Sequence, residues 1–167
     1  IISISSIAPL TAKVGDRITI FGRNFSPRPA DNKVTFNTRT AEVIESTTTK
    51  LIVEVPDGIN VEYFYPNIQI SVKSGGSQAS SSDNFRLAVS VTTFTPTNGI
   101  IGTPVTLNGA NFNSSGTIYV DGIASNFSFI SSSSLAFAIP SGITKDKVAI
   151  SLNMNGTSIA VPGEFAI

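Results

Sequence analysis

The chain has 167 residues, room for one ordinary domain or two small ones, and with 41% apolar residues and a mean hydropathy of +0.22 it must bury a core rather than stay disordered. Eleven basic residues balance eleven acidic ones, which argues against nucleic acid as a partner, because phosphate counterions are displaced only by a surplus of cations. Histidine and cysteine are both absent, which removes His general bases, thiol nucleophiles, His or thiolate metal ligands and disulfides from the chemistry open to this chain.

The opening, Ile1-Ile2-Ser3-Ile4-Ser5-Ser6-Ile7, has no basic n-region and reads as neither a signal peptide nor a span, and a chain beginning on Ile is expected to be a trimmed fragment. No apolar run approaches the length that crosses a bilayer. Ile18-Thr19-Ile20-Phe21 alternates at period two and predicts a strand. In the Gly22-Arg23-Asn24-Phe25 that follows, glycine is expected to take a positive φ as the strand ends. Asn24 is expected to bond its own backbone, and Phe25 to fold back and plug the end of a sandwich. Ser26 to Lys33 is charged and stiffened by Pro27 and Pro29.

Further strands are predicted at Val34–Phe36, Leu51–Val55, Ile68–Val72 and Asn84–Leu87, with Gly, Pro, Asn and Ser clusters between them. The stretch from Gly58 to Ile68 carries Tyr63, Phe64 and Tyr65, the densest aromatic cluster. Gly75-Gly76 reads as a hairpin turn, since no Lys-Ser/Thr or helix follows to make a phosphate loop. Ala88 to Thr93 is β-prone and free of glycine, so it should run on as strand rather than as flexible coil. Val105–Leu107, Thr117–Val120, Leu135–Ile139 and Val148–Leu152 are strands again, with Ser131–Ser134 in a turn. No window carries an amphipathic helix, and less than about a tenth of the chain should be helical.

These elements repeat. Gly22, Asn24 and Phe25 fall on Gly109, Asn111 and Phe112 at an offset of 87, which also carries Pro9 to Pro96 and Gly15 to Gly102. Leu51–Gly58 matches Leu135–Gly142 at 84, and Phe85 matches Phe165 at 80. An offset that only shrinks places small insertions in the first copy. The chain is therefore two homologous units, residues 1–87 and 88–167, each of about seven short strands: an all-β chain of two consecutive immunoglobulin-like β-sandwiches, expected end to end.

Ile7-Ala8-Pro9, Gly15 and Ile18-Thr19-Ile20-Phe21-Gly22-Arg23-Asn24-Phe25 together resemble the opening of an IPT/TIG domain. Phe94-Thr95-Pro96, Gly102 and Val105-Thr106-Leu107-Asn108-Gly109-Ala110-Asn111-Phe112 resemble it more closely, and Pro56-Asp57-Gly58 and Pro140-Ser141-Gly142 are similar to the family's mid-domain turn. This Ig-like family includes domains of plexins, Rel-type transcription factors and many bacterial surface proteins. The resemblance spans the chain and implies the fold; it leaves spacer, dimerisation and recognition roles open.

Catalytic groups are not apparent. Glu42 and Glu45 lie close in sequence, but a glycosidase needs two carboxylates held across a cleft. Asp31-Asn32 and Asp83-Asn84 are single Asx pairs, short of a calcium loop. No catalytic residue, metal site or cofactor is expected. Asn24, Asn113, Asn126 and Asn155 begin Asn-x-Ser/Thr triplets, which a chain this rich in Asn, Ser and Thr produces by chance. The second unit has two basic and three acidic residues against nine and eight in the first, and Ser, Thr and Asn make up 53 of the 167 residues, so hydroxyls and amides must hydrate the surface. The expected role is a non-catalytic spacer or adhesion module of a larger extracellular or cell-surface bacterial protein, anchored at the outer membrane or secreted. The alternative is a glycan-binding module or the accessory region of a carbohydrate-active enzyme. Expected partners are other domains of the same protein, a polysaccharide or a surface protein. Tyr63, Phe64 and Tyr65 are the candidate contact, either as an interdomain wedge, as local core or as an aromatic platform for sugar.

Overall fold

The computed structural model describes residues 1–60 and 67–167. They form two compact units, Ile1–Ala88 and Val89–Ile167.

In the first unit β1 (Ser3–Ala8), β2 (Thr11–Ala12), β3 (Arg17–Arg23), β4 (Asn32–Phe36), β5 (Arg39–Ala41), β6 (Val43–Ser46), β7 (Lys50–Glu54), β8 (Ile70–Ser74), β9 (Ser77–Ser80) and β10 (Arg86–Leu87) build two antiparallel sheets, in the orders β1-β3-β7-β6 and β5-β4-β8-β9. β2 and β10 add a short parallel pair, Thr11 opposite Arg86. The second unit has β11 (Ser90–Thr95), β12 (Pro104–Ala110), β13 (Thr117–Val120), β14 (Ile123–Ser125), β15 (Phe127–Ser131), β16 (Ser134–Ala138), β17 (Lys147–Met154) and β18 (Thr157–Ala166), in sheets β11-β12-β16-β15 and β14-β13-β17-β18. A parallel bridge from Asn98 to Ala166 stands where β2 pairs with β10. Among the described residues the helical content is one 3-10 turn, Pro29–Asp31.

Alternation decides the packing. Ile18 and Ile20 of β3 and Leu51 and Val53 of β7 turn inward against Val34 and Phe36 of β4 and Ile70 and Val72 of β8, and all are buried. Phe36 meets Phe85 edge to face, with centroids 5.3 Å apart and planes at 88°, the geometry that the ring quadrupoles favour. Leu107, Ile118, Val120, Leu135, Leu152 and Phe165 do the same work in the second unit. Each sandwich so closes on its own apolar side chains.

The Gly-x-Asn-Phe element works differently from its sequence reading. Gly22 and Gly109 are not among the residues with positive φ; Asn24 and Asn111 are, both at φ 62°. The glycines are needed for space. A Cβ at Gly22 would overlap the Ser3 carbonyl of β1 and the Phe25 ring, and one at Gly109 would overlap the Ser90 carbonyl and Phe112. Asn24 does not bond its own backbone either; its Nδ2 donates to the carbonyl of Ile1 at 2.8 Å. Phe25 and Phe112 are buried as expected. The amides of Gly22 and Phe25 donate to Thr49 and Thr48 in the β6–β7 turn, and those of Gly109 and Phe112 to Ser133 and Ser132 in the β15–β16 turn. One lock is built twice.

The segment Ala88 to Thr93 becomes strand from Ser90 onward, while Ala88 and Val89 lie between β10 and β11. Gly75 and Gly76 form the β8–β9 hairpin turn, at φ 55° and 78°, the left-handed pair that suits the twist of the strands.

Candidate functional site

Tyr63, Phe64 and Tyr65 lie outside the described residues. The surface elsewhere offers three places where a ligand could rest.

The first is the loop end of unit one. Asn32 opens β4 and is buried. Its Nδ2 donates to the carbonyls of Ser26 and Arg28 at 2.8 and 3.1 Å and to the Ser46 hydroxyl at 3.2 Å, and its Oδ1 accepts from the Ser26 amide at 3.1 Å. The Ser46 hydroxyl also donates to the Ser26 carbonyl. Asp31 accepts from the Ser26 hydroxyl at 2.9 Å. The charged, proline-bearing insertion is thus wound around one amide side chain. Beside it an open groove of about 540 Å³ runs between Asn24, Ser26, Asp31, Ser74 and Ser77. It holds a single carboxylate, which is already bonded.

The second is the outward face of β4, β8 and β9, where Lys33, Thr35, Ser71, Lys73 and Gln78 ring a shallow hollow of about 180 Å³. Ser71, on its rim, shares a hydrogen bond with Ser80 of β9 at 2.8 Å.

The third is the matching face of unit two. Ile118 and Val120 point into the core, so Tyr119 between them stands on the outside, where it is half-buried. Its cross-strand neighbours are Ala124 on β14 and Ser151 on β17, and Ser151 in turn faces Ala160 on β18. The next row is Thr117, Asn153 and Ser158. Sequence reasoning gave Thr117–Val120 as a strand and did not single out Tyr119.

The carboxylates are dispersed. Glu42 lies in the link from β5 to β6, and Glu45 sits on the edge strand β6. Among the described residues no three acidic groups gather as a metal site would require. The ion pairs there are Arg39–Asp57 at 3.1 Å and Lys145–Asp121 at 2.7 Å, with Arg39, Asp57 and Lys145 more than half exposed. Exposed pairs of this kind contribute little to stability. Asn113, one of the Asn-x-Ser/Thr residues, is buried, its Nδ2 bonded to Asn155 Oδ1 at 2.8 Å and its Oδ1 to the Ser115 amide at 2.8 Å; an attached glycan would have no room there. Sequence reasoning missed Asn32 and Asn113, since nothing local marks one amide among thirteen asparagines as the buried one.

The model of the IPT/TIG domain matches residues 3–87 and again residues 90–166. No curated protein gives a significant match to the chain. A crystal structure with a xylogluco-oligosaccharide is similar over 99% of this chain and 41% of its own, at 17% identity and a TM-score of 0.59. The surface glycan-binding protein PbSGBP-B from Prevotella bryantii is similar over 98% of this chain and 41% of its own, at 18% identity and a TM-score of 0.55. The extracellular region of plexin A4 is similar over 99% and 18%, at 16% identity and a TM-score of 0.49. The likeness to the first two is one of fold, and the chain spans less than half the length of each of the three.

Proposed function

The chain belongs to the IPT/TIG family as two consecutive domains, and from that premise we propose that it is a non-catalytic spacer or adhesion module of a larger extracellular or cell-surface bacterial protein. The observation that carries this reading is the duplication. Two sandwiches, each with its own core and its own copy of the Gly-x-Asn-Phe lock, follow one another in one chain. Modules built this way extend a protein by repetition and spend their buried side chains on themselves. The surface fits a crowded exterior: with 13% charged residues it is hydrated mainly by hydroxyls and amides, so salt does little to it. Lacking His and Cys, the sequence cannot run the chemistry that those residues support. No helix among the described residues is long and apolar enough to cross a membrane, so in this reading any anchor lies elsewhere in the larger protein.

A second reading, a module of a polysaccharide-capture protein, draws support from the two glycan-associated structures that share the fold. Its partners would be a polysaccharide and the other domains of the same protein.

Both readings put the chain outside the cell. Brief digestion of intact source cells with an added protease should release peptides from it; peptides found only after lysis would contradict the proposal. Turnover of a polysaccharide panel by the pure chain, abolished by a single Glu→Gln change, would overturn its non-catalytic part.

A further inference from the structure

The outward face of β14-β13-β17-β18 combines features that a spacer does not need. Tyr119 stands in a row of small residues, Ala124, Ser151 and Ala160. Side chains that short do not rise above an aromatic ring at its flanks, and Tyr119 is half-buried rather than enclosed. Among the described residues no hydrogen bond occupies its hydroxyl. Alongside run Thr117, Asn153 and Ser158, with hydroxyl and amide groups that both donate and accept. None of these seven residues is charged. The charges lie off the two rows: Glu164 faces Ala149 beyond a register shift in β17–β18, Asp121, past the end of β13, is engaged by Lys145, and Lys147 is exposed two residues before Ala149 on the same side of β17. Across four strands the face is about 14 Å wide.

Resting on the polysaccharide-capture reading, we propose that this face is a binding site for an uncharged polysaccharide, with Tyr119 as its platform. A pyranose ring has a face of C–H groups and a rim of hydroxyls. The C–H face stacks on the tyrosine, and the rim exchanges its water for Thr117, Asn153, Ser151 and Ser158. The absence of charge in the two rows selects the ligand: an uncharged chain leaves no buried ion unpaired here, whereas a polyanion finds no cation within the rows to pair with, Lys145 being held by Asp121 and Lys147 lying farther along β17. The corresponding position in unit one is Thr35, flanked by Thr40 and Ser71, so the site belongs to the second unit alone. One ring and a few hydroxyls make a weak site, suited to a polymer that offers many equivalent segments.

The chain has three tyrosines and no tryptophan, which gives a direct test. In a Y63F/Y65F chain, Tyr119 is the only fluorophore of its kind. Titration with soluble xyloglucan and with a mixed-linkage β-glucan should change its emission saturably for at least one of them, and alginate should not. In affinity electrophoresis the same neutral polymer should retard the parent chain and the Y63S/Y65S variant, while Y119A should bind at least tenfold more weakly with its thermal unfolding intact. Should Y119A fail to fold, the fluorescence titration still decides. Unchanged emission and mobility with both neutral polymers would overturn the proposal, as would alginate binding equally tightly or Y119A being retarded like the parent. Retardation of Y119A like the parent would remove this site and leave the polysaccharide-capture reading standing, whereas no retardation of any variant would remove both; the spacer reading is judged separately, by protease access on intact cells.

Discussion

At Gly22 and Gly109 the demand on the residue is for space, not for dihedral freedom. The backbone of the neighbouring strand and the ring of the following phenylalanine occupy the volume that a methyl group would take. Gly76 is the contrast, with φ 78° and open surroundings. Gly22→Ala and Gly109→Ala should therefore each cost about 3 kcal/mol or more, since the β1 or β11 backbone must move. Gly76→Ala should cost only the local strain, about 1–2 kcal/mol. Denaturant midpoints for the three variants check the ranking, and equal losses would contradict it. The sequence marked these glycines correctly by their repetition. It could not say why they are glycine, because the clash involves a carbonyl nearly twenty residues away, at Ser3 or Ser90.

Loops of different length are held by the same device placed at different positions. In unit one the long insertion after Phe25 is wound around Asn32, at the start of β4; in unit two the shorter link is tied by Asn113, next to Phe112. Removing the Asn32 side chain leaves the half-buried Ser26 amide without its partner, and removing that of Asn113 leaves a buried gap and frees the Ser115 amide and the Asn155 carboxamide. Asn32→Ala and Asn113→Ala should each destabilise by about 1–3 kcal/mol, more than Asn126→Ala on the exposed β14–β15 link, as thermal unfolding would measure. Central strands such as β3, β7, β12 and β16 were legible because two or three of their side chains enter the core. The edge strands β1, β9 and β15 were not. Ser-Ile-Ser-Ser-Ile-Ala and Ser-Gln-Ala-Ser bury one side chain or none, and their place is set by pairing with a neighbour rather than by their own pattern.

Two small cores, each without a disulfide, carry the stability of the molecule. Phe85 sits at the centre of the first, fully buried and packed on Phe36. Phe85→Ala should remove about 3–5 kcal/mol from that unit, a large share of what so small a sandwich can hold. Calorimetry should show the loss in the transition of residues 1–88. The two-unit architecture was legible because the repeat keeps its order over the whole chain. Tyr119 was legible only as part of the strand Thr117–Val120; that its cross-strand neighbours are all small required the register of four strands. The central claim is that the chain is two self-sufficient modules in series, and it can be tested by producing residues 1–88 and 89–167 separately and following each by circular dichroism through a denaturant titration. Each is expected to give a β-sheet spectrum and a single cooperative transition. A unit that stays unfolded without the other would contradict the account.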